Sequence, residues 1–212
     1  MVCALARRAP ITPSAAASVV APGTFLTVSD QSLRGRLLVS TPGLRDPNFD
    51  RTVVLVLEHD ADGALGLVLN RPSATPVGDV LPSWRDIASD PPVVFAGGPV
   101  DGSAAICLAS TRPGVVDDAV RPISPTVGVV DLDSNPGDLA TDVAYIRVFA
   151  GYAGWTAGQL DEEIEAGGWF VVESLPGDAF TATPAGLWRT VLRRQGGKLA
   201  LFATYPADPV HN

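Results

Sequence analysis

Short apolar runs bounded by turn residues recur along the chain, and they predict strands more often than helices. Runs dense in Val and Leu cover Arg36 to Thr41 and Thr52 to Glu58, a pattern typical of strands buried on both faces. The loop from His59 to Gly63 and the run from Ala64 to Asn70 predict a hairpin, with Gly63 supplying a positive φ. Further apolar runs predict strands at Pro92 to Ala96, Ala104 to Ala109, Thr126 to Asp131, Ala144 to Ala150, Trp169 to Glu173 and Lys198 to Thr204.

Helix signals are fewer and are confined to three segments. Thr156 followed three residues later by Gln159 forms a capping-box pattern, and Leu160 and Ile164 then share a helix face at i, i+4. A weaker pattern predicts a helix from about Asn135 to Val143. The third segment starts more clearly, because Thr183 is a suitable N-cap and Pro184 suits the first helical position.

The third helix also has the clearest apolar face. Gly196 and Gly197 predict its end, and the residues predicted to face the core are Leu187, Trp188, Val191 and Leu192. Strands outnumber helices and do not alternate strictly with them. The pattern therefore predicts an α+β fold, a single domain with a bent or barrel-like mixed β-sheet flanked by a few helices, spanning residues 25–212.

Composition narrows the class of protein. Of 212 residues, 46% are hydrophobic and 18% charged, which is enough apolar side chain for a sizeable core. No apolar run approaches the roughly 20 residues of a membrane-spanning helix. The net charge of −8 argues against direct nucleic-acid binding, because such binding rests on cations that neutralise phosphates. Cys3 and Cys107 are too few for a disulfide framework, and Cys107 lies in an apolar run, so we expect a buried, reduced thiol and a cytoplasmic protein.

The first 24 residues differ from the rest of the chain. They contain Arg7 and Arg8, no acidic residue and three prolines. The apolar stretch that a secretory signal needs is interrupted at Pro10, Thr12, Pro13 and Ser14. A transit peptide is compatible with this composition, but no amphipathic run supports it. We expect residues 1–24 to be a disordered extension or to lie before the true start site.

Standard catalytic and metal-binding motifs do not occur. The chain has no GxSxG elbow and no phosphate-binding loop, and its histidines are His59 and His211. Asp60, Asp62 and Gly63 begin like a calcium loop, but Arg71 stands where that loop needs its bidentate Glu. The acidic run at 161–165 suits the first turns of a helix better than a metal site. The sequence therefore predicts no metal and no cofactor.

Several segments in order support a family resemblance. DPNFDRTVVLVLEH, GALGLVLNRP, VFAGGPV, FAGYAGWTAGQLDEEI and LWRTVLRRQ resemble the YqgE/AlgH family of small bacterial proteins, from about Gly35 to the C-terminus. The resemblance implies a single α+β domain with an unusual bent sheet, in the cytoplasm. It assigns no biochemical activity. One branch is named after the regulation of alginate production, and a transcriptional-regulator label follows from that name. The departures are Asp161, where a Glu is usual, and the N-terminal extension.

The resemblance and the texture of these segments together indicate candidate residues for a ligand or partner site. They are polar, aromatic or glycine residues at element boundaries: Asp46, Phe49, Arg51, Glu58, His59, Asn70, Arg71, Gly97, Gly98, Tyr152, Trp155, Gln159 and Glu163. Strict alternation along the second strand would place Arg51 and His59 on one face and Glu58 on the other. Arg51 and His59 are then too far apart for a catalytic pair, and any site needs residues from the segment near Gly151.

Three functional hypotheses follow. The favoured one is a non-catalytic binding or regulatory module, with an unknown small ligand or a protein as its partner. The second is an enzyme of unknown reaction with His59 or Glu58 as general base, in a cleft walled by Tyr152 and Trp155. The third is a transcriptional regulator, acting directly or through a partner; its basic cluster would be Arg189, Arg193, Arg194 and Lys198.

Overall fold

A computed structural model of the protein describes residues 32–44, 46–112, 119–139 and 143–205. The expected extension at residues 1–24 and His211 lie outside this part of the chain. The strands are β1 (Arg36–Ser40), β2 (Val53–Asp60), β3 (Gly63–Val68), β4 (Pro72–Pro76), β5 (Val93–Ala96), β6 (Val100–Thr111), β7 (Val120–Ser124), β8 (Val127–Val130), β9 (Val143–Thr156) and β10 (Trp169–Glu173). The α-helices are α1 (Val77–Val80), α2 (Pro136–Leu139), α3 (Gln159–Glu165), α4 (Leu187–Gln195) and α5 (Gly197–Phe202), and 3-10 turns cover Pro82–Ile87 and Pro184–Gly186.

All ten strands of the described residues belong to one sheet. Its main path runs β10-β1-β2-β3-β9-β6-β8-β7, and neighbours along that path are antiparallel. β5 pairs with β9 in parallel and with β4 in antiparallel orientation, so the sheet is mixed. The α+β prediction of a single domain with a mixed sheet is therefore confirmed.

The sheet curls until its two halves approach each other. A guanidinium nitrogen of Arg34, just before β1, donates a hydrogen bond to the Pro122 carbonyl on β7. Leu37 of β1 and Val127 of β8 belong to the same apolar core, although four strands separate β1 from β8 along the sheet. The predicted bend is thus a curled half-barrel whose interior is filled by side chains.

Helix α4 closes this core. Its predicted apolar face is confirmed, because Leu187, Trp188, Val191 and Leu192 are buried in the cluster that contains the inner residues of β1, β2 and β3. The indole Nε1 of Trp188 also donates to the Ser40 carbonyl, at 2.9 Å. Burial of such side chains against a sheet contributes about 1.5–3 kcal/mol each.

Helix starts differ in detail from the predictions. α3 begins at Gln159, after Gly158 in a left-handed conformation, and Thr156 still belongs to β9. Half of the predicted capping box exists, since Gln159 Oε1 accepts from the Thr156 amide at 3.0 Å, but Thr156 is not the N-cap. Pro184 opens a 3-10 turn that leads into α4. Of the predicted helix at 135–143, Pro136–Leu139 form α2 and Val143 begins β9, whereas residues 140–142 lie outside the described part of the chain.

The predicted strand from Lys198 to Thr204 is wrong. This segment forms α5, with the Ala200 amide bonded to the Gly196 carbonyl. Lys, Leu and Ala are strong helix formers, so the run KLALFA satisfies a helix as readily as a strand. No helix among the described residues is long and apolar enough to cross a membrane.

Candidate functional site

A β-bulge in β2 decides which residues of the hairpin face which side. Val56 pairs with Gly66, but Glu58 rather than Leu57 pairs with Leu65, so β2 carries one additional residue. Leu55 and Leu57 both pack in the core beneath α4. His59 lies beyond the bulge and is in register with Ala64, which belongs to a second apolar cluster on the other side of the sheet. The expectation from strict alternation is therefore wrong. The bulge inverts the two faces for every residue after it.

Two faces of the β2–β3–β9 segment result. The cleft face carries Glu58, Leu65 and Tyr152. Glu58 is in register with Leu65, and Leu65 is in register with Gly154. Tyr152 lies two residues before Gly154 on β9, so its side chain is on the same face. The helix face carries His59, Ala64 and Trp155, which are in register across the three strands. Leu160 of α3 packs on this second face.

The cleft face holds an open depression of about 550 Å³. The described residues that line it come from the ends of β2, β3 and β9 and the start of β6: Glu58, Asp60, Asp62, Gly63, Ala64, Leu65, Val100, Tyr152, Gly154, Trp155 and Thr156. This lining combines carboxylates, the aromatic residues Tyr152 and Trp155, and apolar side chains. Such a mixture is typical of a site that binds a ligand with both charged and apolar parts. Ala64 and Trp155 belong to the helix face but also border the depression near the ends of their strands.

The carboxylate of Glu58 has one partner from across the curl. Arg121 on β7 donates to Glu58 Oε1, and both side chains are about half exposed. Because the pair lies in water, its contribution to stability is small, in the range of about 0–1 kcal/mol. The nearby Asp60 carboxylate accepts a hydrogen bond from the Asp62 amide at 2.9 Å, which shapes the hairpin turn.

The helix face is organised around one carboxylate. Glu163 Oε2 accepts from the indole nitrogens of Trp155 and Trp169, at 3.0 Å and 2.8 Å, and Oε1 accepts from the Gln159 amide at 3.0 Å. We name Trp155, Gln159, Glu163 and Trp169 the carboxylate node. It joins α3 to β9 and β10, and each of its donors is a side chain that would otherwise lose a partner on burial.

Phe49 extends the carboxylate node from the loop before β2. Its ring stacks on Trp155 with centroids 6.2 Å apart and meets Trp169 edge to face at 5.4 Å. Such aromatic pairs contribute about 0.5–1.5 kcal/mol beyond their buried area. Phe49, Trp155, Gln159 and Glu163, all candidate site residues, therefore serve the packing of α3.

His59 is held in one tautomer beside α3. Its Nδ1 accepts a hydrogen bond from the Leu33 amide at 3.1 Å, so the neutral ring carries its proton on Nε2. Nε2 lies 3.7 Å from Asp161 Oδ2, and the His59 side chain is only 10% exposed. His59 is absent from the residues that line the cleft. The imidazole thus holds the segment that leads into β1 against the end of β2.

A family profile matches residues 37–200, and its description is AlgH-like (DUF179). The chain belongs to the AlgH-like family. A UPF0301 protein of Streptomyces coelicolor is 52% identical over 185 residues, which cover 85% of this chain and 96% of that protein. A UPF0301 protein of Mycobacteroides abscessus is 48% identical over 181 residues, which cover 84% of this chain and 87% of the relative.

Solved structures of this fold agree with the family assignment. A crystal structure of a protein from Corynebacterium diphtheriae is 31% identical with a TM-score of 0.79, covering 84% of this chain and 95% of that one. The solution structure of AlgH from Pseudomonas aeruginosa is 27% identical with a TM-score of 0.63, covering 87% and 100%. The resemblance to the YqgE/AlgH family is thereby confirmed.

Other candidate residues of this AlgH-like chain maintain the loop before β2. Asp46 Oδ1 accepts from the Asn48 amide at 2.8 Å. Asn70 is buried, accepting from the Val53 amide at 3.0 Å and donating to the Arg51 carbonyl at 2.8 Å. Arg71 donates to the Asp50 carbonyl. These contacts shape a turn, and none of these residues lines the cleft.

Arg51 lies outside β2 altogether. It is one of two described non-glycine residues with positive φ, at 50°, and it precedes the first residue of the strand. Its guanidinium donates to the Tyr205 carbonyl at 3.0 Å and lies 5.2 Å from the centre of the Trp188 ring. Arg51 therefore connects the loop to the segment after α5, and it does not line the cleft.

Gly97 and Gly98 allow the backbones of β5, β6 and β9 to approach each other. A Cβ on Gly97 would lie 2.3 Å from the Gly151 carbonyl oxygen, and one on Gly98 only 2.2 Å from the Tyr152 carbonyl carbon. Gly98 thus supports the strand that presents Tyr152 to the cleft. Both glycines act through the backbone.

Sequence reasoning missed part of the cleft. Leu65, Val100 and Gly154 were not candidates, and Asp60 and Asp62 entered only as a rejected calcium loop. Among the described residues, no three His, Cys, Asp or Glu side chains form a group that could hold a metal ion. The period-two pattern of β3 and β9 could have found Leu65 and Gly154, but only once the register between the strands was known.

Proposed function

We propose that this AlgH-like protein is a non-catalytic binding module that engages its partner through the cleft on the β2–β3–β9 segment. The observation that carries the proposal is that the polar side chains of the two faces have different partners. The helix face uses its polar side chains in internal hydrogen bonds, whereas the cleft face presents carboxylates and the Tyr152 ring around an open volume of about 550 Å³.

The contacts of His59 count against an enzymatic role. A general base needs a free acceptor nitrogen within reach of a substrate. His59 Nδ1 already accepts from Leu33, and Nε2 points towards Asp161. Glu58 does line the cleft, but it faces the guanidinium of Arg121, and no Ser, Cys or His is among the described lining residues.

The contacts of the basic helix support an indirect regulatory role over direct DNA binding. Arg194 donates to both carboxylate oxygens of Asp178, at 2.5 Å and 2.8 Å, and Arg189 donates to backbone carbonyls of the segment after α5. Two of the four residues of the basic cluster, Arg189 and Arg194, therefore make hydrogen bonds within the protein. Any regulation would pass through a bound partner, and the buried free thiol of Cys107 supports a cytoplasmic setting.

An NMR fragment titration tests the proposal. Cationic, anionic and neutral fragments are added to ¹⁵N-labelled protein, and backbone amide shifts are followed. We expect shifts that cluster at Leu65, Tyr152 and Thr156, and that are lost in Tyr152→Ala. Tyr145→Ala is the matched control, because Tyr145 lies on the same strand and is 56% exposed. Shifts that cluster elsewhere, or that persist unchanged in Tyr152→Ala, would refute the cleft as the binding site.

A further inference from the structure

One carboxylate of the cleft is already paired with an arginine from outside its lining. Arg121 reaches from β7 to Glu58 at the end of β2, across the gap between the two halves of the curled sheet. Arg34 makes a parallel contact from the opposite direction, donating to the Pro122 carbonyl beside Arg121. The chain itself therefore shows that the Glu58 carboxylate accepts a guanidinium.

The remaining lining favours the same chemistry. Three of the described lining residues are carboxylic acids, Glu58, Asp60 and Asp62, and none of them is Lys or Arg. Tyr152 adds an aromatic ring and Leu65 an apolar side chain. A guanidinium binds carboxylates in a planar fork and also lies favourably over aromatic rings, while its methylene stem covers apolar surface.

We propose that the cleft binds an arginine side chain of a partner protein, and that Arg121 remains paired with Glu58 until that arginine replaces it. This inference rests on the proposed function and adds to it the class of partner and an internal competitor. The Glu58–Arg121 pair is an intramolecular mimic of the complex. Its formation lowers the affinity of the cleft for the partner.

The solvent exposure of the Glu58–Arg121 pair determines how strongly Arg121 competes with an arginine of the partner. The Arg121 and Glu58 side chains are 51% and 48% exposed, so water screens their attraction. Exposed ion pairs of this kind are weak enough to be displaced reversibly. Removal of Arg121 is expected to raise the affinity for an arginine ligand by about two- to fivefold, which is the range that such a pair can supply.

Titration with short peptides tests the exchange. The probe is the blocked pentapeptide Gly-Gly-Arg-Gly-Gly, and the same peptide with citrulline in place of arginine provides a neutral isostere. Binding is followed through the amide shifts of Leu65, Tyr152 and Thr156 in labelled protein. We expect the arginine peptide to bind and the citrulline peptide to bind at least tenfold more weakly. Glu58→Gln should weaken arginine binding at least threefold.

The variant Arg121→Gln provides the decisive comparison. It should bind the arginine peptide about two- to fivefold more tightly than the wild type. Arg34→Gln is the control, since it removes an equal charge from the other side of the same gap and has no bond to Glu58. Equal gains in both variants would indicate a general charge effect and overturn the role of Arg121. If the peptides fail while neutral fragments still bind the cleft through Tyr152, the arginine inference falls and the binding module stands.

Discussion

On the helix face of the β2–β3–β9 segment, Glu163 accepts hydrogen bonds from three side chains, whereas on the cleft face Glu58 meets a single exposed arginine. Both residues are glutamates at the margin of the same three strands. The first is enclosed by indole rings and the second faces water. The family-like residues of the α3 segment therefore make internal contacts, whereas Glu58, Leu65 and Tyr152, which line the cleft, lie on the opposite side of the sheet.

The two faces also differ in whether side chains or the backbone make the close contacts. On the helix face, stability depends on side chains that meet across α3, β9 and β10. On the cleft face, glycines let the backbones of β5, β6 and β9 approach each other. Side-chain substitutions on the helix face should therefore lower stability, whereas substitution of Glu58 or Tyr152 on the cleft face should change binding.

Gly98→Ala should have the largest effect on stability. The new methyl group would lie 2.2 Å from the Tyr152 backbone, and φ at Gly98 is +157°. We expect a loss of roughly 4 kcal/mol in the free energy of unfolding, measured by chemical denaturation. Gly102→Ala is the control, because a Cβ there has nothing within 4 Å. Equal losses in the two variants would contradict a strict backbone constraint beneath the cleft.

Glu163→Ala should come next, with a loss of roughly 3 kcal/mol. It leaves two indole N–H groups and one amide without their acceptor in a partly buried site. Tryptophan fluorescence should shift as the carboxylate node loosens. Glu162→Ala, at the exposed neighbouring position, should stay within about 0.5 kcal/mol of the wild type. A Glu163 variant of native stability would show that the carboxylate node is not what holds α3.

His59→Gln and His59→Asn separate the two contacts of the imidazole. The Asn oxygen can replace Nδ1 as acceptor for the Leu33 amide, whereas Gln reaches only towards Asp161. We expect His59→Gln to cost roughly 1 kcal/mol and His59→Asn clearly less, by thermal and chemical denaturation. The reverse order would mean that the Asp161 side of the ring carries the stability.

Glu58→Gln should have the smallest effect on stability, less than about 0.5 kcal/mol, because its partner Arg121 is equally exposed. The same variant should change ligand binding more than any variant of the helix face does. Denaturation and peptide titration of one preparation give both quantities. A large loss of stability would place Glu58 among the structural residues and remove the contrast between the faces.

Much of the sheet follows from local composition. Trp169–Glu173 has the predicted bounds, and the Val- and Leu-rich runs form β1 and β2 because burial on both faces leaves few alternatives. β4 and β7 were not predicted, because each contains proline, which fits edge strands but weakens the strand pattern. α5 was mistaken for a strand because six residues of Lys, Leu, Ala and Phe fit either period.

The candidate site was harder to predict than the fold. Sequence reasoning named Tyr152, Trp155 and Glu58, and these do line the cleft. It placed His59 with them, although the imidazole lies on the other face, because a bulge leaves no clear mark in an apolar strand. The partners of Glu163 come from β9 and β10, and such contacts depend on tertiary packing rather than on local pattern.

The bulge in β2 also decides which side chain meets which environment. If the same residues formed a strand without the bulge, Leu57 would pair with Leu65, Glu58 with Ala64 and His59 with Gly63. The carboxylate would then face the indole rings, and the imidazole would open onto the solvent-filled depression. The one additional residue that β2 accommodates thus decides whether this edge of the molecule meets its surroundings as an acid or as a base.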